Sequence, residues 1–327
     1  MSPRTLSERL RDAARALIQE PTAGPLVGRP RAGPQVGEAL PRVTPRDGLH
    51  NLVLVVLDSC RWDTWQRAVD GGACKHLGRL GLAERRYSYA SWTAPSHYNL
   101  LTGLLPHRSP SGVFASEVYK DEYLAYAERL GTEVDFGKLL PELWLPGFLR
   151  GIGYETGARV SLPVLNPRTG INRDFDSYRL MPKHNDMSAL LDSVHFSAER
   201  PAFWMLNVGE THYPYVRAGE DPGLLPHISG VHGVAKRLSS GAGLVSAAEA
   251  PGFFEMDGMA SLHERQVSVL KGLDRCFEQL FDSVPKDTWI VVTADHGELF
   301  GEDGFFGHGP IAHNKVLEVP FVEGRVR

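Results

Sequence analysis

Trp-Ile-Val-Val-Thr-Ala-Asp-His-Gly-Glu, residues 289–298, decides how this chain is read. The apolar run 289–292 reads as a buried strand that ends by delivering two metal-ligand types, Asp295 and His296. Far upstream, Asn-Leu-Val-Leu-Val-Val-Leu-Asp at 51–58 repeats the arrangement and ends on Asp58. Two buried strands that each stop on a ligand point to a metal-dependent hydrolase. Carboxylate and imidazole together suit Zn²⁺ or Mn²⁺, as one or two ions, better than Ca²⁺ or Mg²⁺, which favour all-oxygen shells. Taken alone, Asp58 could also be a helix N-cap, and Asp295 and His296 a turn Asp beside a surface His.

Working outward, apolar runs alternate with helical patterns from residue 50 onward. Strands are expected at 51–57, 86–91, 155–161, 202–208, 288–294 and 318–323, and helices near 95–103, 136–150, 186–198 and 260–283. The last is the clearest: Ser261 and Glu264 form a capping box, and Leu262, Val269, Leu270, Leu273, Phe277, Leu280 and Phe281 recur at helical spacing. The alternation implies an α/β fold with a mainly parallel central sheet and helices on both faces. Ligands then sit beyond the carboxyl ends of the strands, where Asp58, Thr93, the 210–214 segment and Asp295 should meet. Residues 1–49 read as a separate amphipathic helix followed by a Pro/Gly-rich linker or wrapping segment, and 50–327 as the hydrolase domain.

Composition narrows the partners. A charged fraction of 23% and a hydrophobic fraction of 42% are those of an ordinary globular protein. A net charge of −4 without a basic stripe argues against nucleic acid. The apolar runs fall well short of the ~20 residues that span a bilayer, and the N-terminus lacks a secretory pattern. Cys60, Cys74 and Cys276 form no Cys-x-x-Cys pair, so a reducing, cytoplasmic setting is expected. Oligomeric state is left open.

Four further stretches carry chemistry. In Trp-Thr-Ala-Pro-Ser-His at 92–97, Pro95 suits a first helical turn and places Thr93 at a helix N-terminus, where an anion is favoured. A metal would activate the Thr93 hydroxyl as a nucleophile; otherwise Thr93 or Ser96 merely caps the helix. In 207–215, His212 is a candidate second-metal ligand, phosphate contact or leaving-group acid, and Glu210 a weaker one. In 301–310, His308 stands between glycines and is expected at the same cation cluster. His313 and Lys315 could each touch an anionic substrate or simply be solvated, and of the two Lys315 is counted among the expected substrate contacts. The remaining histidines lack ligand spacing, and His184 is the first of them to check.

In that order, these stretches resemble the alkaline phosphatase superfamily, and within it the sulfatase-like branch. The resemblance runs from the strand ending at Asp58, through Thr93 before Pro-Ser and Leu-Leu-Thr-Gly at 100–103, through His212-Tyr-Pro, to Asp-His-Gly-Glu at 295–298 and Val319-Pro320. It implies Asp58, Thr93, Asp295, His296 and His308 at the metal, with Thr93 and His212 in catalysis. Sulfatases place a Cys or Ser, modified to formylglycine, where this chain has Thr93, and an Arg where it has His97, which is expected to contact substrate together with His212 and Lys315. Thr93 is similar to the nucleophile of the phosphodiesterase and phosphoethanolamine-transferase members. Ser59 replaces a frequent second Asp, implying fewer carboxylates in the shell. The small C-terminal subdomain of sulfatases is expected to be missing. The expected function is hydrolysis or transfer of a phosphoric ester. A sulfuric-ester or phosphonate hydrolase and a degenerate binding protein are the alternatives.

Overall fold

β1 (Leu52–Leu57) is buried at all six positions, so its side chains meet protein on both faces of a sheet. That is the environment of a strand inside a parallel α/β sheet, and it explains an uninterrupted run of Leu and Val. The computed structural model describes residues 48–109, 121–134, 144–225, 256–309 and 311–326, all within the unit Pro41–His227 plus Phe254–Arg327. Apart from residues 48 and 49, the expected N-terminal helix and linker lie outside the described residues.

The other strands of the main sheet are β2 (Glu84–Tyr87), β3 (Glu155–Val160), β4 (Ser177–Leu180), β5 (Ala202–Val208), β6 (Trp289–Thr293) and β9 (Glu318–Arg325). Their order is β2-β9-β6-β1-β5-β3-β4. β4, β3, β5, β1 and β6 are mutually parallel, and β9 runs against both β6 and β2. A short hairpin, β7 (Leu299–Phe300) with β8 (Phe306–Gly307), follows β6. The α/β fold with a mostly parallel central sheet is therefore as expected.

Register places the site. Val56 of β1 pairs with Asn207 of β5 and Thr293 of β6, so the three central strands end at the same height. Asp58 N then donates to the carbonyl of Val208 at 2.9 Å, extending the ladder by one step. Leu52, Leu54 and Val56 contribute to a core with Leu100, Leu101, Leu149, Phe203 and Val291.

The helices that matter are α1 (Thr93–Leu101), α2 (Leu145–Gly151), α3 (Met187–Leu191) and α4 (Met256–Ser283). All seven apolar positions expected to face inward on α4 are buried. The helix starts earlier than expected, because buried Met259 extends the stripe upstream. Ser261 is therefore inside the helix, and Glu264 pairs with Arg67 instead of closing a capping box. α3 is much shorter than 186–198. Asp186 caps its start, accepting from Ala189 N at 3.1 Å. Ser193 Oγ and Arg159 take up the carbonyls of Leu190 and Ser193 and turn the chain away. β2 ends at Tyr87 rather than 91, because the Ser88 hydroxyl leaves the sheet to bond the carbonyl of Asp295. β4 escaped the sequence reading because an edge strand of four partly exposed residues has no apolar run. Among the described residues, no helix is long and apolar enough to cross a membrane.

Candidate active site

Asp58, Asp295 and His296 meet at the carboxyl ends of β1 and β6, each offering a ligand atom within 4.8 Å of the others. They are at most 1% exposed. Thr93, the first residue of α1, brings its hydroxyl to 3.4 Å from Asp58 Oδ1 and 3.3 Å from His296 Nε2. Four residues spread over more than 200 positions therefore share one small volume. Trp92 at the N-cap gives α1 no side-chain cap, so among the described residues the N–H groups of its first turn are left for an anion.

The backbone is shaped for this cluster. Ser59 sits at φ 61°, a left-handed conformation that costs a side-chain-bearing residue about 1 kcal/mol or more. In return its N–H donates to Asp295 Oδ1 at 3.0 Å. Its hydroxyl lies 3.3 Å from Asp58 Oδ1, in the place where a second carboxylate was missing from the motif. Gln266 of α4 joins the two neighbouring loops by donating to the carbonyls of Ser59 and Thr211, both at 2.9 Å.

Three imidazoles are held in the same tautomer. Nδ1 of His296 donates to the carbonyl of Gly297 at 2.8 Å, and Nδ1 of His212 to that of Tyr213 at 2.7 Å. Nδ1 of His308 donates to Glu298 Oε1 at 3.2 Å. Each Nε2 is thus turned away from its anchor, as in metal-binding histidines. The rings of His296 and His308 are 4.3 Å apart, and those of His212 and His308 are 5.3 Å apart. Glu298 is buried and also accepts from the Tyr215 hydroxyl.

Electrostatics follow from burial and crowding. Burial alone would raise Asp58, but His212, His296, His97 and the Asn207 amide hold it below the usual carboxylate range. Burial and the charge of Asp58 push Asp295 well above it. Burial and His308 hold His296 well below an ordinary histidine, hence neutral. Burial lowers His308, but the bond and charge of Glu298 outweigh it and leave His308 raised.

These residues fit a divalent cation. Asp295 Oδ2 is buried without a hydrogen-bond partner among the described residues. It lies 3.2 Å from His296 Nε2, which carries a lone pair in the tautomer just described. Two lone-pair atoms this close, out of water, call for a positive charge between them. A proton on Asp295 serves in the metal-free protein, and a cation would displace it.

Other expected residues fall elsewhere. His97 is fully buried, its Nδ1 bonded to the carbonyl of Thr93 at 2.9 Å and its Nε2 3.3 Å from Asn207, so it packs beneath Thr93 rather than facing open space where a substrate would sit. Lys315 donates to Asp63 Oδ2 at 2.8 Å; with its charge matched there, it belongs to the Arg61–Asp63 ion-pair network. His313 accepts from Lys315 N. Glu210 accepts from Met187 N at 2.6 Å and thus caps α3, with burial raising its pKa to about 7. Buried His184 Nε2 has no hydrogen-bond partner among the described residues, and His184 is electrostatically coupled to His212. Asn207, Glu298 and Tyr215 were missed. The only signal for Asn207 was a polar residue at the end of the apolar run 203–206.

Residues 50–322 match the protein-family model described as Sulfatase. No curated protein matches the chain. Among solved structures, the C-terminal periplasmic domain of EcEptC from Escherichia coli is similar, with 12% identity, 86% of this chain and 74% of that chain covered, and a TM-score of 0.53. The soluble domain of lipooligosaccharide phosphoethanolamine transferase A from Neisseria meningitidis shares 16% identity, covering 86% of this chain and 78% of that chain, with a TM-score of 0.51. The full integral membrane protein EptA from the same organism shares 15% identity over 88% of this chain but 49% of that one, with a TM-score of 0.51. Identities this low speak for the fold alone. Fold likeness and a family match covering most of the sequence agree: the chain belongs to the sulfatase family, with a mostly parallel α/β fold similar to those of the EcEptC and phosphoethanolamine transferase A domains.

Proposed function

We propose that the chain is a metal-dependent hydrolase or transferase of phosphoric esters that works through Thr93 as nucleophile. Members of the superfamily are hydrolases or transferases acting on phosphate or sulfate esters. The observation that carries the finer reading is the Thr93 hydroxyl at an uncapped helix N-terminus, within 3.4 Å of both Asp58 and His296. Asp58, Asp295 and His296 would hold the cation, with Thr93 Oγ1 beside them. A cation bound there would supply the positive charge that lowers the pKa of the Thr93 hydroxyl and stabilises developing negative charge.

On this reading Thr93 Oγ1 passes its proton to Asp58 Oδ1, 3.4 Å away, and forms a bond to phosphorus. The bond from phosphorus to the leaving alcohol breaks, and the alcohol oxygen takes a proton. His308, whose charged form Glu298 stabilises, is the donor for that step and the contact for phosphoryl oxygens; His212, its Nδ1 proton held by the carbonyl of Tyr213, would offer its Nε2 lone pair to a second cation. The first turn of α1 receives the remaining negative charge. Water, or an acceptor alcohol, then attacks phosphorus and gives its proton to His308; the bond from phosphorus to Oγ1 breaks, and Thr93 Oγ1 takes its proton back from Asp58. The test is acid quenching during turnover of an aryl phosphodiester, followed by peptide mass spectrometry. The expected result is a phosphoryl adduct on residue 93, with Thr93→Ala inactive. Near-normal turnover by metal-loaded Thr93→Ala sinks the reading.

A second reading, a sulfuric-ester hydrolase, is favoured by the family match itself. Thr93 argues against it, because threonine does not give formylglycine. Parallel assays with aryl phosphate, aryl phosphodiester and aryl sulfate separate the two, and dominant sulfate hydrolysis overturns the first.

A further inference from the structure

Asn207 is a fully buried polar residue at the site, and the proposed mechanism leaves it without a role. Its orientation is determined by its partners. Oδ1 accepts from Ser161 N at 3.0 Å and from Leu162 N at 3.2 Å. Only the amide oxygen can accept two N–H groups, so Nδ2 must point the other way. There it donates to Asp58 Oδ2 at 2.8 Å. It also lies 3.3 Å from Nε2 of His97, whose Nδ1 donates to the carbonyl of Thr93. Asp58 Oδ2 is thereby engaged, and Oδ1 is the oxygen that faces Thr93. Asn207 makes these contacts without charge, so the local carboxylates are Asp58 and Asp295.

Cation choice depends on these details. Ca²⁺ takes about six to eight oxygen ligands, a number that carboxylates binding through both oxygens help to reach. A compact shell with imidazole and single carboxylate oxygens suits zinc or manganese. We propose that Asn207 is a positioning residue that commits Asp58 to the cation through one oxygen and holds the shell at two carboxylates, so that the site selects zinc or manganese over calcium. This inference rests on the metal shell named under the proposed function. It adds what sets the identity of the ion.

Two substitutions separate the two ends of the amide. Asn207→Asp keeps an acceptor for Ser161 N and Leu162 N and replaces only the donor, setting a third carboxylate oxygen against Asp58. Asn207→Ala removes both ends. The full-length chain is stripped of metal, and dissociation constants for Zn²⁺, Mn²⁺ and Ca²⁺ are measured by competition with a chromogenic chelator, with melting curves in parallel. In Asn207→Asp the preference for Zn²⁺ over Ca²⁺ is expected to fall about tenfold or more. In Asn207→Ala, Zn²⁺ affinity is expected to fall about 10–100-fold, the usual effect of losing a partner that orients a ligand. An unchanged Zn²⁺/Ca²⁺ ratio in Asn207→Asp, or wild-type Zn²⁺ affinity in Asn207→Ala, overturns the inference and leaves the metal shell standing. Failure of the wild-type chain to bind any of the three ions stoichiometrically overturns both.

Discussion

Gly297 follows the pair Asp295–His296, and replacing it with alanine tests how tightly the site is built. Its backbone is not in the left-handed region, so a side chain is excluded by space rather than by conformation. A β-carbon at 297 would press into the carbonyl oxygen of Lys315 far inside van der Waals contact, with Arg61 Cγ at 3.2 Å on the other side. The Lys315 oxygen is main chain and cannot swing away, and Arg61 is held by Asp63 and Glu302. Relief must come from moving the end of β6 or the 313–316 segment, which strains the 2.6 Å bond from Gly297 N to the carbonyl of Val316. Overpacking costs about 1–3 kcal/mol and the bond about 1 kcal/mol, so Gly297→Ala should destabilise by about 2–4 kcal/mol. At roughly 2–4 °C per kcal/mol for a chain of this size, melting falls by about 5–15 °C. His296 is anchored through the carbonyl of Gly297, so the same movement shifts a ligand. Misplacement by about 1 Å costs about 100-fold in turnover. The assay is a thermal melt of the metal-loaded protein beside kcat/KM on an aryl phosphodiester. A variant that melts within about 1 °C of wild type and keeps its kcat/KM refutes the claim that β6 and Lys315 are in unavoidable contact.

Thr93→Ser, which keeps a hydroxyl, should retain turnover within about tenfold, whereas Thr93→Ala should lose about a thousandfold or more; equal losses in steady-state assays contradict a nucleophilic role. Glu298→Gln removes the charge that raises His308. A histidine raised in the folded state contributes stability that is fully present below its unfolded value of about 6.5 and is lost as pH rises through the folded value. The melting deficit of metal-free Glu298→Gln should therefore be larger in acid than in alkali, and a gap independent of pH counts against the Glu298–His308 pair. Chelation should destabilise the wild-type protein, by about 2.7 kcal/mol when metal had stood at 100 times its Kd. Asp58→Asn should show no such response in calorimetry, and an equal response would remove Asp58 from the shell.

The central strands were legible because burial on both faces demands continuous apolar residues, and β1, β5 and β6 show them. α4 was legible because a helix packed on one side repeats its apolar residues at its own period. Thr93, Asp58, Asp295 and His296 could be read for a related reason. For Asp58, Asp295 and His296, a polar residue that terminates a buried run needs a purpose, and a strand end is where a parallel sheet places one; for Thr93, Pro95 marked the first turn of a helix. His97 is expected at the substrate only because the resemblance puts Arg there in sulfatases, and Lys315 only from residue type and position. Nothing local distinguishes a buried histidine under a helix from one that faces a ligand, or a free lysine from one paired with Asp63.

Sequence alone therefore determined the central strands of the sheet and the identity of the four residues that meet at the site, because these depend on patterns within one segment. Tertiary structure alone decided the supporting set. Asn207 against Asp58, Glu298 against His308, the Ser59 N–H against Asp295 and Gln266 across two loops each join segments remote in the chain. The physical reason is that hydrogen bonds depend on direction and distance. One strand register and one helix placement set both, and neither is written in any single stretch of residues.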